Sequence, residues 1–529
     1  MKRIYFTLII LSLSMIGMAY LYFSKLNREH SYNEISLYAA TENSGLVFSI
    51  QNDKSVLEIL KGQDFFQKLI GEAKFNQLSI VKNKIVSNPA INNLISKRDI
   101  YISFSAGKKK EIDYLLSTQL NDEQDKPLLL EAMRSGGMQV TDTAGVMKLT
   151  LNDSTSLYLA IEKNLILLSN QLSPVKTAVN PQKKPNEFVA YIQSNNKLSK
   201  NSVGNLYIDF NKIPALLKAI LPGALSGNLS VFNHQDSFSA LNYNFSRERV
   251  FFNGNTHLND KNSYLYLFTN QTPQKNTIDN LLPDHTASFR LFSIPDYKTW
   301  RNSLKEWFSA HKEAAKVRNI IEKTTKDNHL NPEEIFPVYF KNQLITFQLK
   351  SAEDMAAINL TNGDRVKQLL LDISADYDQD IKLITIPGLF YCYFGEPFKK
   401  FSKPYYTIID NYLVFSNQPG ALQEFLNAYR NNHLLVNTPD YINLYSQISN
   451  QSSITFYVNP KNSNSLIKRN IYLPFYNHYQ AKQGLRGFSS FIYQLNGDKG
   501  NFQTNLLLNT VPDSTENVNV NLPIENQKP

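Results

Sequence analysis

Hydrophobic and polar residues alternate along most of this chain in a way that predicts short strands joined by tight turns. The clearest example occurs twice, as YLAIEKNLILLSNQ (Tyr158 to Gln171) and YYTIIDNYLVFSNQ (Tyr405 to Gln418). In each copy, β-branched and aromatic residues flank a polar break that contains Asn164 or Asn411, and Asn tolerates the positive φ of tight turns. Each copy is therefore predicted to form a two-stranded hairpin.

These two hairpins belong to a longer series of similar segments. Phe48-Ser-Ile50 precedes Phe292-Ser-Ile294 by 244 residues, and Phe238-Ser-Ala precedes Phe488-Ser-Ser by 250 residues. Similar segments that recur in the same order at a nearly constant offset are typical of an internal duplication, with loop insertions explaining the drift. The chain is therefore predicted to contain two structurally similar modules.

The pattern favours the α+β class, because hairpins outnumber the helical segments between them. We expect two tandem modules of mainly antiparallel sheet with packed helices, preceded by one N-terminal transmembrane helix. The predicted boundaries are a cytoplasmic stub at 1–3, a transmembrane signal anchor at 4–23, a tether at 24–35, a first module at 36–268, a linker at 269–282, a second module at 283–510 and a disordered tail at 511–529.

Each module is predicted to open with a buried strand followed by an amphipathic helix. In the first module the helix follows Asn52-Asp53 and buries Val56, Ile59 and Leu60. In the second, the spacing predicts that one helix face carries Trp300, Leu304, Trp307 and Phe308. Asn496-Gly497 predicts the two-residue turn of the closing hairpin.

The N-terminal segment is the most hydrophobic part of the chain. Ile4 to Phe23 contains no charged residue and has about the length needed to cross a bilayer as a helix. Lys2 and Arg3 precede it, which favours a short cytoplasmic stub with the remainder outside. Gly17-Met-Ala19 resembles a cleavage site, so a cleaved signal peptide is the alternative to a retained anchor.

Composition restricts the compartment and the partners only weakly. Cys392 is the single cysteine, so no intrachain disulfide is possible, and the aromatic run around it predicts a buried strand. The net charge is +9, but basic and acidic residues are interspersed, and no basic stripe interleaved with aromatic residues is visible. We therefore expect no nucleic-acid partner.

Three alternating carboxylates form the only candidate metal site. Asp376, Asp378 and Asp380 resemble the start of a calcium loop, but Ile381 and Pro387 stand where the loop needs Gly and Glu. A solvated turn is favoured, with an incidental divalent-ion site as the alternative. His329 with Glu333 is better explained by a helix that begins at Pro332.

One polar feature appears in both repeated hairpins. Ser169-Asn-Gln171 and Ser416-Asn-Gln418 each end a predicted strand and precede a helix. Ser and Asn side chains commonly satisfy free backbone groups at such ends, so a capping role is favoured over ligand contact. No residue is assigned a catalytic or cofactor-binding role.

The chain resembles a family of bacterial envelope proteins known only as a domain of unknown function. The resemblance rests on the anchor at 4–23, the strand-then-helix from Gly45 to Leu60 and the two Ser-Asn-Gln strand ends. The resemblance covers most of residues 36–510. It implies one N-terminal transmembrane helix and a large extracytoplasmic region with weakly similar halves, and it carries no catalytic residues.

The sequence therefore favours a non-enzymatic, membrane-anchored interaction or scaffold protein on the outer side of the bacterial inner membrane, without a cofactor. The bilayer is the expected partner of residues 4–23, and an envelope protein or lipid is expected for the remainder. The alternative is a periplasmic carrier or chaperone for lipid or outer-membrane polypeptide, which the aromatic content of 12% motivates.

Overall fold

A computed structural model describes most of the 529-residue chain. The described residues are 35–51, 72–96, 98–108, 110–143, 145–152, 155–179, 186–195, 204–223, 235–245, 249–328, 330–481, 484 and 487–510. Several predicted features lie outside them: the stub 1–3, the segment 4–23, nearly all of the tether 24–35, the helix after Asn52, His329 and the tail 511–529.

Ten strands from the first half of the chain are hydrogen-bonded in one row. Their order is β4-β5-β6-β7-β3-β2-β1-β8-β9-β10, and every pairing is antiparallel. The strands are β1 Leu46–Gln51, β2 Asp99–Ala106, β3 Ile112–Gln119, β4 Gln139–Thr143, β5 Val146–Asn152, β6 Thr155–Glu162, β7 Leu165–Ser169, β8 Asn205–Asp209, β9 Ser237–Phe245 and β10 Arg249–Leu258.

Ten strands from the second half form another row in the order β15-β16-β17-β18-β14-β13-β12-β20-β21-β22, again antiparallel throughout. A separate pair joins β11 to β19. These strands are β11 Gln274–Lys275, β12 Thr286–Ser293, β13 Phe340–Leu349, β14 Asp354–Leu360, β15 Ser374–Asp376, β16 Lys382–Ile384, β17 Tyr405–Ile409, β18 Tyr412–Ser416, β19 Gln451–Ser452, β20 Ile454–Val458, β21 Phe488–Asp498 and β22 Asn501–Thr510.

The two rows join into a single 20-stranded sheet. Strand β10 pairs with β22 over eight residues, from Arg249 opposite Asn509 to Thr256 opposite Phe502. The fold is α+β, as predicted, and the strands of both halves of the chain form one continuous sheet. The halves are joined by a strand pairing between residues about 250 positions apart, and the expectation of two structurally similar tandem modules stays a prediction.

The predicted transmembrane helix is the part of the fold class that needs correction. Across the described ranges, no helix combines the length and the apolar character required to cross a bilayer. Residues 4–23, on which that prediction rested, lie outside the described ranges.

Helices pack on both faces of the sheet. One core cluster surrounds Trp300 and Phe292, and another on the opposite face surrounds Phe289 and Phe425. The α-helices of the described ranges include Glu72–Val81, Pro89–Leu94, Lys126–Ser135, Leu172–Ala178, Glu187–Asn195, Ile213–Ile220, Tyr297–Ala310, Ala314–Asn328, Phe336–Tyr339, Gly363–Leu369, Leu389–Phe394, Pro419–Arg430, Pro439–Tyr445, Asn464–Asn470 and Leu473–Gln480.

The repeated hairpins form as predicted, as β6–β7 and β17–β18. The positive φ falls one residue before each Asn, on Lys163 and Asp410. The helix with Trp300 and Trp307 also forms, and both indoles are buried, as the predicted apolar face requires.

Two local predictions are wrong. The run around Cys392 is the helix Leu389–Phe394 rather than a strand, although the thiol is fully buried as expected. The closing hairpin turns at Lys499-Gly500, both at positive φ, so Asn496-Gly497 lies within β21.

The segment 269–282, predicted as a linker, is packed against the sheet. It contains β11 and the 3₁₀ helix Ile278–Leu281, and Ile278, Leu281 and Leu282 are fully buried. Gln343 accepts hydrogen bonds through Oε1 from the backbone N–H groups of Thr277 and Ile278, at 3.0 and 3.1 Å. This segment therefore forms part of the core.

Candidate functional site

The four strands around the junction carry amide side chains on one face only. Successive side chains of a strand alternate between faces, so the register of the strand pairs assigns each residue to a face. All ten Asn and Gln side chains of β9, β10, β21 and β22 fall on the same face, which we call the amide surface. They are Asn242, Asn244, Asn253, Asn255, Gln494, Asn496, Asn501, Gln503, Asn505 and Asn509.

Strand pairing arranges these amides in rows. Asn253 is opposite both Asn242 and Asn505, and Asn505 is opposite Gln494, so four amides cross four adjacent strands. In the next row Gln503 lies opposite Asn255 and Asn496. Adjacent strands are about 4.8 Å apart, so the first row spans about 14 Å.

The other face of the same strands is closed and largely apolar. Phe252, Leu241 and Leu508 are buried there in one cluster. Hydroxyls occupy its centre, where the Oγ1 atom of Thr256 lies 2.6 Å from Ser239 Oγ and 2.7 Å from Thr504 Oγ1. Alternation therefore directs the amides away from this cluster, to the face on which Ile492 and Leu507 belong to the cluster around Phe289.

The amide surface is accessible near its centre and buried toward β21. Asn244, Asn253 and Gln503 are exposed, and Asn244 Nδ2 donates to Asn253 Oδ1 at 2.5 Å. Gln494 is fully buried, and its Nε2 donates to the carbonyl of Ser449 at 2.8 Å. Among the residues that the structure describes, none donates a hydrogen bond to its Oε1 or to Oδ1 of Asn496. Unpartnered buried acceptors cost about 1–3 kcal/mol each, so they favour an added donor such as a buried water.

Aromatic side chains border the amide surface. Along β10, Phe251 precedes and His257 follows the two Asn residues, on the same face. Tyr191 stacks on His257 with ring centres 6.4 Å apart, and its hydroxyl donates to the Asn255 carbonyl at 3.0 Å.

Two helices form the sides of this surface. Helix Glu187–Asn195 contacts β9, and helix Pro439–Tyr445 contacts β21. The strands between them, β10 and β22, carry the exposed Asn253 and Gln503. The surface is therefore a shallow strip between two helices.

The predicted metal candidates lie elsewhere and have protein partners. Asp376 pairs with Lys382, and Asp380 Oδ2 lies 2.9 Å from an Arg430 guanidinium nitrogen. Asp378 Oδ1 accepts from the backbone N–H groups of Asp380 and Ile381, and these hydrogen bonds contribute to lowering its pKa. In the described part of the chain, no group of three or more His, Cys, Asp or Glu side chains is arranged to hold a metal ion. This geometry is that of a turn.

The repeated serines act as backbone caps, as predicted. Ser169 Oγ donates to the Tyr114 carbonyl at 2.6 Å and accepts from Gln171 N–H at 3.1 Å. Ser416 Oγ donates to the Asp354 carbonyl at 2.8 Å and accepts from Gln418 N–H at 3.2 Å. Glu333 lies in the first turn of the 3₁₀ helix Pro332–Glu334, which Asn331 caps by accepting a hydrogen bond from the Glu333 N–H group.

A second concave feature lies between helix Ala314–Asn328 and residues 385–402. This lysine groove has a volume of about 540 Å³, within the range of small-molecule sites. Lys316, Lys323 and Lys399 lie at its rim, and Ile320 and Ile386 line its wall. Tyr391 also lines it. Its buried hydroxyl has no hydrogen-bond partner in the described part of the chain, and burial raises its pKa.

Sequence reasoning missed the amide surface, although a signal for it was available. Each of the four strands contains an amide, any residue, then Asn: Asn242-Tyr-Asn244, Asn253-Gly-Asn255, Gln494-Leu-Asn496 and Gln503-Thr-Asn505. A spacing of two puts both amides of each pair on one face of a strand. Only the register shows that the four pairs share that face.

Comparison with known proteins gives a partial match. No curated protein and no solved structure matches the chain. A family model described as "Protein of unknown function (DUF3352)" matches residues 388–518, which include β21 and β22 of the amide surface. The predicted resemblance to a family of unknown function is thereby confirmed.

Proposed function

We propose that this protein is a non-enzymatic interaction or scaffold protein of the bacterial cell envelope and that its partner binds over the amide surface. One observation carries the proposal: the ten amides of four adjacent strands all lie on one sheet face. Amide side chains do not ionise near neutral pH and are not nucleophiles, so this surface is suited to binding rather than to catalysis.

Stability alone does not account for these residues. Asn is among the residues that strands disfavour, whereas Thr, Val and Tyr are enriched in them. Exposed positions such as Asn253 and Gln503 would accept those residues without any loss of packing. Positions at which a sequence departs from local preference are expected at functional sites.

The envelope location belongs to the same proposal and rests on the sequence alone. The uncharged run 4–23 behind Lys2 and Arg3 is typical of segments that direct export. Protease added to cells with a permeabilised outer membrane is expected to digest the chain while a cytoplasmic marker survives. Protection of the chain to the same degree as the marker would refute this location.

Site-specific cross-linking tests the binding surface. A photo-reactive amino acid is introduced at Asn253 or Gln503 of the full chain in cells, and at Gln368 as an exposed amide control far from the surface. Adducts are expected from the first two positions and not from the control. Equal labelling at all three positions, or no adduct at Asn253 and Gln503, would contradict the proposal.

The lysine groove favours a second candidate function, a carrier of anionic lipid or polypeptide. Its apolar wall of Ile320 and Ile386 below a lysine rim is complementary to a chain with an acidic head group. Native mass spectrometry of the full chain isolated from cells is expected to show such a ligand. Charge reversal at Lys323 and Lys399 should remove the ligand, whereas charge reversal at the exposed Lys261 should leave it bound. A chain that carries no ligand would exclude this candidate.

A further inference from the structure

We infer that the amide surface binds an uncharged, hydroxyl-rich or N-acetylated glycan chain. The inference rests on the proposed function, because it names the chemistry of the partner at the same surface. It follows from the charge of the surface, its hydrogen-bonding groups, its aromatic border and the inaccessibility of its strand edges.

Charge excludes ionic partners from the centre of the surface. On this face of the four strands, only Arg249 and Asp498 are charged, and they lie at opposite ends. A polyanion such as nucleic acid or teichoic acid is bound through several Lys or Arg contacts, and an acidic peptide through Arg pairs. An uncharged partner fits the rows around Asn253 better.

Hydrogen-bonding capacity matches polyhydroxylated ligands. Each amide side chain offers two N–H donors and one carbonyl acceptor, and each sugar hydroxyl offers one donor and two lone pairs. Rows of amides therefore bond hydroxyls in either orientation. Asn253 and Gln503 are exposed, so a bound sugar can reach their amide groups.

An exposed aromatic ring lies beside the amide rows, where the apolar face of a sugar ring could stack. His257, stacked on Tyr191, follows the two Asn residues of β10, whereas Phe251, which precedes them, is half-buried against the apolar cluster around Phe289. His257 lies four positions after Asn253 along β10, so this part of the surface is about 14 Å long. Such a strip is long enough to contact several sugar units in succession.

The sheet topology argues against a peptide strand as the partner. Peptides that add to a sheet bond to the free backbone groups of an edge strand. All four strands here are interior: β9 lies between β8 and β10, β22 between β10 and β21, and β21 between β20 and β22. Their backbone groups are used within the sheet, so a partner must be recognised by side chains.

Co-sedimentation with insoluble glycans tests the inference. The full chain is mixed with chitin, with cellulose and with purified peptidoglycan sacculi, and each pellet is washed in about 0.5 M salt, at which exposed charge attraction of this +9 protein is screened. Retention on at least one glycan is expected to persist through the wash. Triple substitution of Asn253, Asn255 and Gln503 by Ala is expected to reduce it at least about tenfold, since each lost hydrogen bond contributes about 0.5–1.5 kcal/mol.

The matched control is double substitution of Gln124 and Gln368 by Ala, two exposed amides outside the surface, which is expected to leave retention unchanged. Circular dichroism of every variant separates lost binding from lost folding. Binding to no glycan, release by salt, or equal retention of the triple variant overturns the inference. If protein adducts still form at Asn253 and Gln503, the proposed interaction function stands with a protein partner; if they do not, both ideas fail.

Discussion

Substitution of Gly254 by Ala tests the close strand packing beneath the amide surface. Gly254 lies between Asn253 and Asn255 in β10, opposite both Leu241 and Thr504. A Cβ atom at this position would lie well under 3.0 Å from the carbonyl oxygen of Ala240 and 3.0 Å from the Cα atom of Leu241. Backbone atoms cannot rotate aside as a flexible side chain does, so β9 must move away from β10 by about 1 Å.

The expected cost follows from that displacement. Overpacking commonly costs about 1–3 kcal/mol, and each weakened strand hydrogen bond adds up to about 1 kcal/mol. We expect the free energy of unfolding to fall by about 3 kcal/mol. With a urea dependence of about 3 kcal/mol per M, the unfolding midpoint should fall by about 1 M.

Gly420 provides the matched control, since substitution by Ala should raise the stability there instead of lowering it. It lies in helix Pro419–Arg430, and an added Cβ would meet nothing within 4 Å. Ala is favoured over Gly in helices by up to about 1 kcal/mol, so the midpoint of Gly420→Ala should rise slightly. A Gly254→Ala midpoint within about 0.2 M of the parent would refute the strand packing described here.

Three further predictions concern the strand ends, a buried carboxyl and the amide surface. Ser169→Ala and Ser416→Ala should each lower the free energy of unfolding by about 1–3 kcal/mol, because each leaves a buried carbonyl and an N–H unpaired; the exposed Asn417→Ala should cost less than about 0.5 kcal/mol, and equal urea midpoints for the Ser variants and the parent would contradict the capping role. Asp279 is buried and accepts a hydrogen bond from the Tyr441 hydroxyl at 2.7 Å, and burial raises its pKa. Above the ordinary carboxyl pKa the native state still holds a proton that the unfolded chain has lost, so the stability of the parent falls as the pH rises. Asp279→Asn should therefore gain stability relative to the parent between about pH 4 and pH 7, whereas a constant difference in urea midpoint would exclude this carboxyl as the cause. Asn253→Thr should stabilise the sheet by a few tenths of a kcal/mol, or about 1 kcal/mol at most, while weakening partner binding; a fall in both stability and binding would mean that Asn253 has a structural role.

Local chemistry made the hairpins and one long helix predictable. The polar breaks at Asn164 and Asn411 identify turns because Asn is favoured in tight turns, although the positive φ falls on the residue before each Asn. The apolar spacing around Trp300 identifies the buried face of a helix. The run Leu389–Phe394 failed because six consecutive buried residues have no periodicity that distinguishes a helix from a strand. Gly388 and Gly395, both at positive φ, bound this short helix.

The closing hairpin shows a different limit. Asn496-Gly497 has favourable turn chemistry, yet the strand continues through it because its glycine serves another purpose. A Cβ on Gly497 would lie 2.5 Å from the Phe268 carbonyl and 2.6 Å from that of Gln271. The glycine is therefore needed for close approach of the segment around Phe268, and the turn forms at Lys499-Gly500 instead.

The amide surface lay beyond sequence reasoning for a further reason. The spacing of each amide pair is visible in the chain, but the face that the pairs share depends on the pairing of β10 with β22. That pairing joins residues roughly 250 positions apart. A shift of its register by one residue would move the amides of one half of the chain to the opposite face of the sheet.

The junction of β10 with β22 also sets an order of events. We expect contacts between such distant residues to form late, because closing a long loop costs conformational entropy that only later contacts compensate. Residues 237–258 contribute four of the ten amides and residues 488–510 contribute six, so neither stretch displays the whole amide surface by itself. A nascent or incompletely folded chain would consequently be unable to engage its partner, and binding would report that synthesis and folding had reached completion.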